Sequence, residues 1–248
     1  MSAASPRLRL MDAFELHLDG KLVYIPASSQ RLIAMLAVQA RTIHRSTVAG
    51  TLWPESSESR AFGNLRSALW RAQRAAPGLV RLIGNGLSLR GGVSIDATEV
   101  MGRARRLLDG TSSDADLRDD PATLAGELLP DWYEEWLDGH RERLRLLGIH
   151  ALEALSAQLR AGGHHAQAVD AAQLAVMREP LRETARRALI EAHLAEGNRD
   201  EAMRQLTSFR RLLGSELGVE PSPPLVALLV GPVDALRPAR FVLSGLRT

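Results

Sequence analysis

His140, His150, His164 and His165 lie close together in the chain, and histidines so clustered could ligate a metal ion. Adjacent His164 and His165 project in different directions on any regular element, however, and there is no cysteine to join them. Nor does a carboxylate pair stand at zinc-protease spacing, so no metal site is expected. Gly84-Asn85-Gly86 could open a phosphate-binding loop, yet the lysine and the serine or threonine of such a loop are missing, and the tripeptide reads as a turn. Serine, histidine and aspartate all occur, but in no nucleophile-elbow pattern. No catalytic residue and no cofactor are expected, and the chain reads as a protein that is not an enzyme.

The side chains left with chemistry to do are arginines. From Ser59 to Ile95 there are six (Arg60, Arg66, Arg71, Arg74, Arg81 and Arg90) and no aspartate or glutamate, in a protein of net charge only +2. Lys21 is the only lysine, and arginine is the side chain whose planar fork grips phosphate or guanine bidentately. On a helical wheel Ala61, Phe62, Leu65, Leu69, Ala72 and Ala76 gather on one side. Arg60, Ser67, Arg71 and Arg74 gather on the other, with Asn64 flanking them. One face packs and the other is cationic. Val80 to Arg90 then reads as two short strands around Gly84-Asn85-Gly86, because Asn and Gly tolerate the positive φ of a tight hairpin. A cationic helix followed by an arginine-bearing hairpin is the layout of a winged helix-turn-helix that reads duplex DNA.

Composition frames this reading. At 248 residues, 45% hydrophobic and 24% charged, the chain matches an ordinary globular protein of one or two domains. Absence of cysteine excludes disulfides and thiolate sites and fits a reducing cytosol, so a cytoplasmic location is expected. No apolar run approaches the roughly 18 residues of a membrane span, and Met1 to Pro6 lacks the pattern of an export signal, so no membrane partner is expected. Ten acids against the single Arg118 occupy residues 109–140. Such acids would repel a duplex, which places them in another domain, facing away from DNA.

The elements that must position the arginines follow from local signals. Phe14, Leu16 and Leu18 alternate, Asp19-Gly20 marks a hairpin, and Leu22 to Ile25 returns as a strand. Ser28 or Ser29 can cap a helix carrying Leu32, Ile33, Met35, Leu36 and Ala40. A second helix, about Ser46 to Trp53, is stopped by Pro54, and the arginine helix ends near Pro77-Gly78. Ile95 to Leu108 predicts a connecting helix, and the polar run 109–121 a linker or long loop. Beyond it the chain reads as all helix. Gly163 and Gly197 stand 34 residues apart, and at that offset Ala151 matches Ala185, Ala154 matches Ala188, Leu155 matches Leu189, Ala168 matches Ala202 and Val169 matches Met203. A 34-residue helix-turn-helix period is the tetratricopeptide signature; residues 144–159 and the segment after Leu212 should cap the two units.

Several motifs in order now resemble a known family. They are Leu52-Trp53-Pro54, Asn64 to Arg71, Leu128 to Trp132 with Trp136, Arg141 to Leu144, His150 to Leu155, and Leu217-Gly218-Val219-Glu220-Pro221-Ser222-Pro223. Together they are similar to the SARP regulators with a bacterial transcriptional activator domain, over about Leu8 to Leu229. The resemblance implies a fold that is mainly α with a small β component. An OmpR-type winged helix-turn-helix over residues 1–106 precedes an all-α, tetratricopeptide-like domain over 107–230 and a C-terminal tail over 231–248. It implies a sequence-specific DNA-binding activator of bacterial transcription that binds promoter repeats as a dimer and recruits RNA polymerase. No receiver or nucleotide-binding segment is recognisable in the sequence, so the resemblance is to a short member. Two positions depart from the pattern: Ile83 stands before the wing turn where arginine is common, and Gln73 where a basic residue is common.

The DNA-binding residues expected are Arg60, Asn64, Ser67, Arg71, Arg74, Arg81, Asn85 and Arg90. Arg71 is assigned to a base edge or phosphate in the major groove, and Arg60, Arg74, Arg81 and Arg90 mainly to phosphates. The alternative is a tetratricopeptide-like adaptor without specific DNA binding.

Overall fold

A computed structural model of the protein describes residues 6–229; the expected tail, 231–248, lies outside them. The chain is mainly α with a small β component: an N-terminal winged helix-turn-helix followed by tetratricopeptide-like helices. It opens with β1 (Arg7–Arg9), β2 (Glu15–Leu18) and β3 (Lys21–Val23), paired antiparallel in sequence order. The β2–β3 turn sets Asp19 at φ 48° and Gly20 at φ 77°, the two positive values that let a two-residue turn follow the twist of its strands. Next come α1 (Ala27–Gln39), β4 (Ile43–His44), α2 (Arg45–Leu52), α3 (Glu58–Ala75), the hairpin β5 (Val80–Ile83) and β6 (Gly86–Leu89), β7 (Ser94–Ile95) and α4 (Asp96–Leu108). β7 pairs in parallel with β1, giving one sheet of order β3-β2-β1-β7 and a second of order β4-β6-β5. Leu8, Leu16, Leu32, Ile33, Leu36, Leu52, Leu65 and Leu87 form the centre of the core. The serine cap expected for α1 is absent, since Pro26 takes the N-cap position. Ser29 is buried in the first turn instead, and its hydroxyl donates to the Ala68 carbonyl of α3 at 2.8 Å.

The polar run 109–121 is not a loose linker. It folds around Arg103, a buried residue of α4 whose guanidinium donates to the carbonyls of Asp116, Asp119 and Asp120 and to the Thr123 hydroxyl. The Asp116 and Asp119 carbonyls lie at the end of the short helix α5 (Asp114–Arg118), which has too few residues to satisfy them, and Asp120 precedes α6 (Ala122–Ala125), whose Thr123 N–H and hydroxyl also donate to its carbonyl. Burial pushes the Arg103 pKa down. The Arg106 guanidinium, then the Ser113 backbone N–H, hold the buried Asp116 carboxyl well below the usual carboxylate range.

Beyond these helices the chain returns to the winged-helix core. Met11 bridges Leu128, Asp12 N–H donates to the Glu127 carbonyl at 2.7 Å, and Phe14 stacks on Trp132. Arg31 of α1 donates to the Glu134 carboxylate at 2.8 Å. Leu128, Leu129, Leu137 and Leu144 join the same hydrophobic cluster as α1 and α3. Residues 109–140 thus share a compact unit with the arginine helix rather than lying in a separate body, and the physical reason is that neighbouring arginines take up several of the acids. Asp116, Asp114, Glu134 and Asp138 pair with Arg106, Arg118, Arg31 and Arg141. The first compact unit extends to Ala151 and the second starts at Leu152, a division within α7 (Glu135–Ala161) and not after Arg106.

The second unit continues with α8 (His165–Arg178), α9 (Glu183–Glu196), α10 (Arg199–Leu217) and α11 (Pro223–Ala227). The 34-residue offset holds here: α8 begins at His165 and α10 at Arg199, and Gly163 and Gly197 both take positive φ at the turns. The matched Ala151 and Ala185, Leu155 and Leu189, and Ala168 and Ala202 are all fully buried. Val169 and Met203 differ, the first half-buried and the second exposed. His164 and His165 sit at the α7–α8 turn. Leu225 and Leu229 cover Phe209 and Leu213, closing the end of the array.

Candidate nucleic-acid interface

The arginine helix is held from behind. Ala61, Leu65, Ala68 and Ala72 of α3 are buried against α1 and α2, small residues that let the backbones approach closely, and the bond from Ser29 to Ala68 fixes the helix lengthwise. Arg60, Arg66, Ser67, Arg71 and Arg74 are exposed, and Asn64 is half-buried. None of the six arginines between Ser59 and Ile95 forms an ion pair among the described residues. Arg71 makes one neutral contact, donating to the Ser28 hydroxyl at 3.3 Å, and Arg74 lies over the Trp70 ring, 5.4 Å from its centroid. Five exposed polar groups with no competing carboxylate can take phosphate oxygens or base edges.

Sequence reasoning missed two members of this face. Arg66 and Trp70 stand eight and four residues before Arg74, so the three form one column along the helix, diametrically opposite the buried stripe. Trp70 is 61% exposed. A tryptophan on the cationic side of the wheel was the available signal.

The wing is built from β5 and β6, with β4 as third strand. Register pairs Ile83 with Gly86 across a turn of Gly84, at φ 56°, and Asn85. Gly86 is needed for a different reason: a Cβ there would overlap the Thr42 side chain beside β4. Arg45 N–H donates to the Asn85 carbonyl at 2.9 Å, tying the wing turn to the start of α2 while the Asn85 residue remains exposed. Arg81 and Arg90 are exposed at the start of the hairpin and just past its end. Leu82 and Ile83 are exposed too, and Ile83 is the apolar residue standing where the resemblance leads one to expect arginine.

A cleft of the first unit, about 760 Å³, mixes Arg9 and His17 with Asp12, Glu15, Asp96 and Asp120. Burial pushes the Asp96 carboxyl up, yet its oxygens are already occupied by the backbone N–H groups of Leu10 and Met11 at 2.8 and 3.0 Å. Among the described residues no group of three or more histidines and acids could hold a metal ion, and no helix is long and apolar enough to cross a membrane.

A winged helix-turn-helix followed by tetratricopeptide-like helices defines the class, and comparison with known proteins defines the family. The family model of the bacterial transcriptional activator domain matches residues 94–229, more than half of the chain. The chain belongs to that family and is a SARP-type transcriptional regulator. It is 29% identical over 224 residues to the regulatory protein AfsR of Streptomyces coelicolor, covering 85% of this chain and 22% of AfsR. It is likewise 29% identical over 220 residues to AfsR of Streptomyces griseus, covering 82% and 22%. The chain therefore spans about a fifth of the length of these relatives. Among solved structures it is similar to Mycobacterium tuberculosis EmbR in complex with a low-affinity phosphopeptide, with a TM-score of 0.71 and 18% identity over 91% of this chain and 64% of that one, a likeness of fold.

Proposed function

We propose that the protein is a sequence-specific DNA-binding transcriptional activator, not an enzyme. It grips promoter repeats through α3 and the wing, and recruits RNA polymerase through its helical part, residues 107–230, in the cytoplasm. The observation that carries this reading is the face of α3: exposed arginines without ion pairs, on a helix anchored by its opposite side, in a segment free of acids. An adaptor would be expected to engage such arginines within its own fold. Arg71 serves a base edge or phosphate in the major groove; Arg60, Arg74, Arg81 and Arg90 serve phosphates; Asn64, Ser67 and Asn85 add polar contacts. One winged helix covers a short site, so two copies on repeats about one helical turn apart provide the required length.

The helical part suits partner recruitment because a repeat array offers an extended surface and no preorganised reactive group. The test uses the full chain and the tightest duplex recovered from a random-sequence pool. Affinity should fall steeply with salt, and reconstituted transcription with purified polymerase from a promoter carrying that site should rise when the protein is added. Salt-independent or absent duplex binding would overturn the first half; binding without a rise in transcription would overturn the second.

A further inference from the structure

Resting on the DNA-binding reading above, we propose that Trp70 is a specificity-determining residue that contacts the 5-methyl group of thymine in the major groove. Trp70 is a large apolar side chain standing 61% exposed in the middle of a cationic helix face, opposite the buried stripe of Ala61, Leu65, Ala68 and Ala72. It does not serve the core. Together with Arg66, Ser67 and Arg71 it lines a surface hollow of about 260 Å³, and the guanidinium of Arg74 rests 5.4 Å from its ring centroid. Stacking on the indole restricts Arg74 and steadies the ring in return.

The position along α3 fits the same contact. Glu58 occupies the first turn of the helix, where it would face phosphates if that end lay deepest in the groove. The closest approach is therefore centred farther along, on residues 66–74. In the major groove the only apolar group on any base edge is the thymine methyl, so an apolar side chain presented there among arginines has one kind of partner.

The experiment again uses the full chain and the duplex selected from a random pool. Each thymine of the site is replaced in turn by deoxyuridine, which removes the methyl and leaves the hydrogen-bonding edge unchanged. The unmodified protein should lose about four-fold in affinity at one or two thymines, the worth of one buried methyl-sized group. Trp70→Ala should bind the two duplexes equally, whereas Trp70→Leu, which keeps an apolar contact, should retain part of the discrimination. Because Trp70 is exposed, thermal melting of both variants should match that of the unmodified chain.

The proposal is overturned by a selected site lacking thymine, or by deoxyuridine having no effect at any position. It is also overturned if Trp70→Ala keeps its discrimination and loses only transcriptional activation, which would make Trp70 a contact for a partner protein. Failure of the DNA-binding reading is seen separately, as absence of salt-dependent duplex binding by the unmodified chain, and would overturn both.

Discussion

Arginine is used in two opposite ways in this molecule. On α3 and the wing its side chains are exposed and have no carboxylate partner among the described residues. Between α4 and α7 they are tied into the fold: Arg103 donates to three carbonyls and a hydroxyl, Arg106 clasps Asp116, and Arg141 donates to the carbonyls of Leu128, Leu129 and Trp132. Arg182 and Arg160 of the second unit pair with Glu153 and Glu191. The same residue type is an architectural clamp where the chain has orphan carbonyls and acids to satisfy, and a free hand where it has none. A count of arginines therefore says little, and the position of acids beside them says much.

The largest expected effect is on the clamp side. Arg103→Leu leaves the Asp116 and Asp119 carbonyls without their guanidinium donor and removes one donor each from the Asp120 carbonyl and the Thr123 hydroxyl, and should cost about 3 kcal/mol or more of folding free energy in a denaturant titration, the scale of a broken buried polar network. A loss below about 1 kcal/mol would erase the contrast. On the free side, Arg71→Ala should weaken binding to the selected duplex about ten-fold or more, since a bidentate arginine contributes roughly 1–3 kcal/mol of discrimination. Unchanged affinity in a gel-shift titration would remove Arg71 from the interface.

Replacing Arg60 and Arg74 together by alanine should flatten the plot of log affinity against log salt by nearly two units on any duplex, at about 0.9 per phosphate contact. A smaller affinity with an unaltered slope would make these two side chains structural.

Acid should distinguish the groups as well. The folded-state pKa of Asp116 is depressed, so its pairing stabilises the fold fully above the ordinary carboxylate pKa of about 4, and that contribution is lost progressively as pH falls from there through the depressed folded value. Asp116→Asn should be less stable than the parent at neutral pH, with the gap closing below about pH 4 in melts across pH. The smallest effect closes the series. Each single alanine replacement of Arg60 or Arg66 should change folding free energy by no more than about 0.5 kcal/mol, as expected for exposed side chains without ion pairs.

Features governed by local chemistry were legible in the sequence. The helical period exposed the packed face of α3, and Asp19-Gly20 and Gly84 located both hairpins because positive φ restricts which residues can stand there. The 34-residue offset located the repeat, since small residues must recur where helices meet. What could not be read depends on distant partners. Arg103 finds its acceptors 13 to 20 positions away on two short helices that have no periodic pattern, so a folded segment looked like a linker. Ser29 looked like a cap because its true acceptor, Ala68, is 39 residues away. β4 and β7 are two residues each, too short to alternate. Trp70 carries no charge, so a pattern of cations does not include it.

The bridge from Met11 to Leu128 and the pairing of Arg31 with Glu134 bear on how such a regulator can be recombined. Anyone exchanging target specificity between related regulators would be drawn to a splice point after Arg106, where the connecting helix ends. That cut would strip Leu128, Leu129, Leu137 and Leu144 from the hydrophobic cluster beneath α3 and expose the apolar surface they cover. The compact unit runs to Ala151, so the acidic stretch must travel with the winged helix as a single inherited block.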